Sequence, residues 1–172
     1  LATTQEKMFL RSKYDLPVNK TILLGLGRFS EVKQYHLALL AMKYVSEDFL
    51  LVLVGSGPEL FEYQKLVKKY QLTNKVVFFE ATNRPEEFYK LSDIFLMTSR
   101  YESFGQTILE AAASGLKIIA FSEKSGVNTN VVNILSGFKG LYLVDSQEPE
   151  DLSKVVVMAS KGIDCNDEKL SE

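Results

Sequence analysis

The sequence predicts an α/β domain wound in both directions around a parallel sheet. Three observations lead there: six short apolar runs that do not alternate with polar residues, amphipathic stretches at helical spacing between them, and glycine-rich turns directly after two of the runs. Continuous, partly β-branched runs mark strands covered on both faces. Strand and helix in alternation give crossovers of one hand, with helices on either side of the sheet.

Residues 1–20 are polar, carry no strand pattern and read as a linker with a lead-in helix around 7–14. The first strand, 21–24, is closed by Gly25-Leu-Gly27. The helix that follows sets Leu37, Leu40, Ala41 and Tyr44 on one face. The second strand, Phe49–Val54, runs into Gly55-Ser-Gly57-Pro58, where Pro58 is placed to open a helix with Leu60, Tyr63, Val67 and Tyr70 inward. Val76–Phe79, Ile94–Met97, 118–121 and Leu141–Val144 complete the strands, and Pro85–Leu91, 107–113 and 149–159 the helices. The expected domain is 21–162, followed by a polar tail, 163–172, that should fray.

At 172 residues, 46% hydrophobic and 24% charged, the chain has the make-up of one packed domain. Twenty Lys and Arg stand against 22 Asp and Glu, a net charge of −2, which argues against a generally basic surface for nucleic acid. The single cysteine, Cys165, excludes an internal disulfide framework and a Cys-based zinc site. No apolar run approaches the roughly 18 residues of a membrane span. The sequence starts at Leu1 and shows no secretory signal, so a domain of a larger protein is expected.

Ligands of open parallel sheets bind beyond the carboxyl ends of the strands, which singles out four segments. Gly25-Leu-Gly27-Arg28-Phe-Ser-Glu-Val-Lys33 puts two cations at the mouth of the sheet. A planar Arg fork and a compact Lys charge suit a diphosphate; two solvated surface cations are the bland alternative. It is not a dinucleotide fingerprint, because Ser30 stands where that pattern has its third glycine. Gly55-Ser-Gly57-Pro58 brings backbone near a ligand at a helix start, or is a tight turn without one.

Arg100-Tyr-Glu102-Ser-Phe-Gly105-Gln-Thr-Ile-Leu-Glu110 is the sharpest of the four. The helix begins near Phe104 or Gly105, and Glu110 lies roughly 8 Å along it. A phosphate at the helix start meets free N–H groups and the positive dipole end, and Glu110 then reaches a sugar or ribose hydroxyl. A carboxylate among Ile108, Leu109, Ala111, Ala112 and Ala113 is costly to bury without partners. The alternatives are a water-facing Glu110 and a Glu102 that caps locally. Ser125-Gly126-Val-Asn128-Thr-Asn130 offers amides and hydroxyls, or is an ordinary loop. His36, the one histidine, fits a structural place in a helix better than a triad, and Cys165 has no neighbour suited to a catalytic thiol. Asp93 lacks a second nearby acid, so no bound metal is expected.

With these residues in place, the sequence resembles the C-terminal, donor-binding domain of GT-B glycosyltransferases, specifically the large retaining family four. The resemblance covers about residues 11–162. It rests on Gly27-Arg28 followed by Lys33, on Val54-Gly-Ser-Gly57-Pro58, and on Glu102-Ser-Phe-Gly with Glu110, which is similar to the family's E-x7-E signature. It implies a Rossmann-like half of a GT-B fold that binds a nucleotide-diphosphate sugar, UDP- or GDP-linked. Arg28 and Lys33, next to Gly27, would hold the diphosphate, and Glu102 would bind hydroxyls of the transferred sugar. Ser103, Phe104 and Gly105 would contact the phosphate or sugar, and Glu110 the ribose. Gly55, Gly57, Pro58 and Ala81 would border the base.

Charge on the departing nucleotide would be stabilised by the positive pocket, with no cofactor. The acceptor, a glycan or lipid-linked molecule of cell-surface polysaccharide or lipopolysaccharide synthesis, would be held by an N-terminal domain missing from this chain. Such an enzyme is expected in the cytoplasm, with room for peripheral association of the full-length protein with the inner face of a membrane. Three positions depart from the family pattern: Gln34 and Lys117 stand where Gly and Pro are frequent, and the loop 126–130 carries Asn128 and Asn130 but no acid. Two other classes share the fold: a non-catalytic nucleotide-binding or interaction module, and a nucleotide-sugar epimerase, for which His36 alone offers little acid–base chemistry.

Overall fold

A computed structural model describes residues 2–102 and 105–163. In chain order its elements are α1 (Thr4–Lys13), β1 (Thr21–Leu26), α2 (Tyr35–Ala41), β2 (Phe49–Val54), α3 (Leu60–Lys69), β3 (Val76–Phe79), α4 (Pro85–Leu91), β4 (Ile94–Met97), β5 (Tyr101–Glu102), α5 (Gln106–Ala113), β6 (Lys117–Phe121), β7 (Asn128–Thr129), α6 (Val131–Ile134), β8 (Leu141–Val144) and α7 (Pro149–Lys161). Six strands form one sheet in the order β3-β2-β1-β4-β6-β8, while β5 and β7 pair separately. Every pairing is parallel, as the continuous apolar runs imply. The strand order reverses between β1 and β4, and a crevice opens at the carboxyl ends at such a switch.

Alternate side chains of each strand enter two separate cores. Leu23, Leu51 and Leu53 pack with Ala38, Leu39, Tyr63 and Val156 of α2, α3 and α7. Ile22, Leu24, Leu50 and Val52 pack with Leu10, Phe88, Leu91 and Ile108 of α1, α4 and α5. The sheet is therefore the middle of three layers.

Two helices depart from their expected outlines for local reasons. Thr3 accepts the Glu6 N–H at 3.1 Å, a capping arrangement that starts α1 earlier than the apolar pattern does. In α2 the buried face holds Leu37, Ala38, Leu39 and Ala41, whereas Tyr44 is exposed. The N–H groups of Met42, Lys43 and Tyr44 each reach a carbonyl three residues back, and this tighter winding rotates Tyr44 out of phase with the helix.

The amino edge of the sheet is tied down by charge. Arg11 is buried and donates to the carbonyls of Leu91, Val18 and Lys20 and to Asp93. Asp93 also takes Lys7 at 2.6 Å and the Ile22 N–H at 2.7 Å. Burial works to raise the Asp93 pKa, but the bonds from Lys7 and Ile22 and the charges of Lys7 and Arg11 hold it below the ordinary carboxylate value. Glu87 of α4 accepts from Lys13 and Tyr14, and those bonds bring its carboxyl down to about 2. Lys117 donates to the Ala159 carbonyl at 2.6 Å, where a cation complements the carboxyl end of α7. Among the described residues, no helix is long and apolar enough to cross a membrane.

Candidate functional site

The site is built where β1 and β2 deliver their turns to the carboxyl edge. The two turns are laced together: the Gly27 N–H donates to the Val54 carbonyl at 3.0 Å, the Phe29 N–H to Ser56 at 2.8 Å and the Glu59 N–H to Phe29 at 3.1 Å. A Cβ on Gly55 would stand 1.9 Å from the Gly27 carbonyl oxygen, and one on Gly57 2.2 Å from that of Phe29, both at positive φ. The close approach that glycine permits here is between two loops, and an N–H at the start of α3 is used for it. The base of this pair is Tyr35, buried against Gly25, and its pKa is raised by that burial.

What the laced turns leave open is a cleft of about 580 Å³ whose walls include Leu26, Gly27, Arg28, Gly55, Gly57 and Ala81. Pockets for small ligands fall in this size range. Of the residues expected to surround a nucleotide, Gly27, Arg28, Gly55, Gly57 and Ala81 are thus brought together, and Pro58 is not on the wall. Arg28 is exposed and, among the described residues, forms no ion pair.

Lys33 and Glu102 meet each other. Lys33 Nζ lies 2.8 Å from Glu102 Oε2, with side chains 22% and 18% exposed. The other oxygen, Oε1, accepts the Gly105 N–H at 3.3 Å, so Glu102 also acts as a local cap. Gly105 has φ +61, and a Cβ there would come within 2.7 Å of Ile134 Cδ1, so both backbone and packing require glycine. Thr98, directly after β4, donates to the Lys33 carbonyl at 2.7 Å and steadies that loop. Ser103 and Phe104, also expected at the ligand, lie outside the described residues.

Glu110 is held from both sides. Tyr89 of α4 donates to Oε2 at 2.9 Å, and Gln106 Nε2 lies 3.1 Å from Oε1. Burial, with the bond to Glu110, raises the Tyr89 pKa, so the phenol keeps its proton and remains a donor. His36 sits half-buried in α2, its pKa lowered by burial. Among the described residues, no three His, Cys, Asp or Glu side chains gather as a metal ion requires.

A second cavity, about 400 Å³, lies at the opposite, amino edge beside Lys7, Tyr89, Lys90, Asp93 and Lys117. Its cations are engaged with Asp93, Glu6 and the Ala159 carbonyl, and Lys90 in the last turn of α4 and Lys117 at the end of α7 stand where positive charge is structurally favoured.

Residues 6–161 match the family model described as glycosyl transferases group 1. The chain belongs to that family. Over 112 residues, 64% of the chain and 29% of the relative, it is 35% identical to the N-acetyl-alpha-D-glucosaminyl L-malate synthase of Bacillus anthracis. Over 157 residues, 91% of the chain and 42% of the relative, it is 26% identical to the O-antigen biosynthesis glycosyltransferase WclY of Escherichia coli. The crystal structure of Anabaena Alr3699/HepE in complex with UDP and glucose superposes with a TM-score of 0.82 at 19% identity, covering 93% of this chain and 44% of that one. At that identity the likeness is one of fold, the expected GT-B half. The chain spans under half the length of these proteins. As a group 1 glycosyltransferase domain it keeps the whole laced-turn cleft and the Lys33–Glu102 pair within the matched residues.

Sequence reasoning passed over Thr98 and Tyr35. Only Thr98 carried a signal, its place directly after a strand.

Proposed function

We propose that residues 21–162 are the donor-binding domain of a retaining glycosyltransferase that uses a UDP- or GDP-linked sugar, with 1–20 as linker and lead-in helix and 163–172 as a tail. The observation that carries the reading is Arg28, exposed and, among the described residues, without an ion-pair partner at the mouth of a glycine-walled cleft of nucleotide size. The base would lie against Gly55, Gly57 and Ala81, the ribose near Glu110, and the diphosphate on Arg28, Lys33 and the start of α5, whose first N–H groups have no acceptor inside the helix.

The Lys33–Glu102 pair suggests how such a site is kept ready. A diphosphate competes for Lys33, and the lone pairs of Glu102 released in the exchange accept bonds from sugar hydroxyls. As the glycosidic bond to the donor breaks, negative charge grows on the departing nucleotide, and Arg28 and Lys33 are already in place to stabilise it. Transfer would need an acceptor held by a further domain of the same protein, so the domain alone should bind and not transfer. The WclY relative, an O-antigen biosynthesis glycosyltransferase, supports an acceptor in cell-surface polysaccharide or lipopolysaccharide synthesis. The HepE structure supports a UDP donor.

The test is a titration of this chain with UDP, GDP, ADP and their sugar conjugates, repeated for Arg28→Ala. Loss of a bond to a charged group contributes roughly 1.5–3 kcal/mol. A tenfold or larger drop in diphosphate affinity is therefore expected, with nucleoside binding unchanged. A folded chain that binds none of these nucleotides would sink the reading.

A further inference from the structure

Gln34 and Gln147 take no part in the account above, yet both are placed with unusual constraint. Gln34 precedes α2 with φ +48 and ψ +35, left-handed backbone that a residue with a Cβ adopts unfavourably, and it is 5% exposed. Its Nε2 donates to Gln147 Oε1 at 3.1 Å, and Gln147 Nε2 donates to the Ser125 carbonyl at 2.9 Å. The Ser125 carbonyl orients the whole chain of amides. Only an NH₂ can face it, so Gln147 must turn its oxygen to Gln34, and Gln34 must answer with its own NH₂. Among the described residues, Gln34 Oε1 is left buried without a partner, and so is Thr129 Oγ1 of β7.

The relay joins three strand-end loops, those after β1, β8 and β6, and both of its ends lead to one carboxylate. From Gln34 the route is the adjacent Lys33, which pairs with Glu102. From Ser125 it is β7, where Thr129 is in register with Glu102 and the Asn128 N–H donates to the Arg100 carbonyl at 2.8 Å. The result is a circuit of contacts and chain segments that passes through the Lys33–Glu102 pair. A left-handed glutamine and an unmatched buried acceptor are both unfavourable, so stability alone does not select this arrangement. The gain is a loop, 122–130, held in one place.

We propose that Gln34 and Gln147 are positioning residues that hold the loop 122–130 against Glu102 and so determine how well the sugar of the donor is gripped, while leaving the nucleotide to the cleft. This rests on the assignment of Glu102 to the sugar in the proposed function. Neither glutamine touches the ligand in this scheme. Each acts through the loop it fastens.

The test uses the chain with Gln147→Ala and, separately, Gln34→Gly. Amide hydrogen exchange across 122–130 is measured, with affinities for UDP and for UDP-glucose. Both variants should exchange at least tenfold faster in 122–130 and keep UDP affinity within twofold, while UDP-glucose affinity falls fivefold or more. Gln34→Gly also removes the left-handed penalty and should melt close to wild type, which separates a loosened loop from general loss of stability. Unchanged exchange in 122–130 would overturn the proposal, as would a parallel loss of UDP and UDP-glucose. A wild type that bound no nucleotide would defeat the functional reading by itself, and the exchange measurement would still decide whether the relay holds the loop.

Discussion

At the amino edge of the sheet, Asp93 collects Lys7, Arg11 and the Ile22 N–H, and Lys117 holds a carbonyl at the end of α7. At the carboxyl edge, Arg28 has no ion-pair partner among the described residues, and Lys33 is paired with Glu102. Both edges line a cavity and both carry cations. The difference lies in what the cations hold. Backbone carbonyls and a carboxylate fastened from three directions cannot leave, so the amino edge is structural. A guanidinium without an ion-pair partner among the described residues and an ammonium held by a carboxylate can change partners, and exchange is what ligand binding needs.

The contrast is sharpened most by Gly57→Ala, which strikes the backbone lacing of the carboxyl edge. The added Cβ meets the Phe29 carbonyl oxygen at 2.2 Å, at a φ of +155. Strain and overpacking together should cost about 3–4 kcal/mol, visible as a drop of roughly 10 °C in Tm. A melt unchanged within a degree would show that the two turns are not rigidly laced.

Asp93→Ala comes next, because it leaves Arg11 buried without its carboxylate. Removing one partner of a buried pair costs 3–5 kcal/mol, and the partial exposure of Asp93, 31%, places this case at about 3 kcal/mol. Nucleotide affinity should be unaffected if the two edges are independent. The pH dependence has a definite sign. Folding lowers the pKa of Asp93, so the unfolded chain binds its proton more tightly. The stability that Asp93 supplies is complete above its unfolded pKa of about 3.9 and drains away as pH falls below it. Melts between pH 5 and pH 2 should fall less steeply for Asp93→Ala than for wild type.

Glu110→Gln tests the boundary between the two uses. The Tyr89 hydroxyl keeps an acceptor but loses a charged one, a loss of about 1 kcal/mol. Titration with ribo- and 2′-deoxyribonucleotides should show a narrowed preference for ribose. An unchanged preference in a well-folded variant would assign Glu110 wholly to the packing of α4 on α5. The smallest effect belongs to Lys117→Met, which removes a cation from the end of α7. About 0.5–1 kcal/mol in denaturant unfolding is expected, with binding untouched.

The strands were legible because each is an uninterrupted apolar run, and burial on both faces of a parallel sheet demands that pattern. Helix outlines were less so. A side-chain cap at Thr3 and carbonyls reached three residues back after α2 move the ends and the phase without altering the apolar spacing. At the site, Gly27, Arg28, Gly55, Gly57 and Ala81 were legible as a group because each follows a strand. That two of those glycines face another loop was hidden, since a glycine pattern reports close approach and not the identity of what approaches.

The sequence by itself determined the layers, and it determined which segments would reach the carboxyl edge, because strand and helix periodicity are local properties and every turn after a parallel strand falls on the same edge. Which charges are committed was decided only by the tertiary structure. Lys33 and Glu102 are 69 positions apart, and Gln34 and Gln147 113 apart. Their meeting depends on the reversal of strand order between β1 and β4 and on the pairing of β5 with β7, neither of which any local pattern encodes. Electrostatic and hydrogen-bond partners are set by distances of a few ångströms between loops, and those distances exist only once the sheet is assembled.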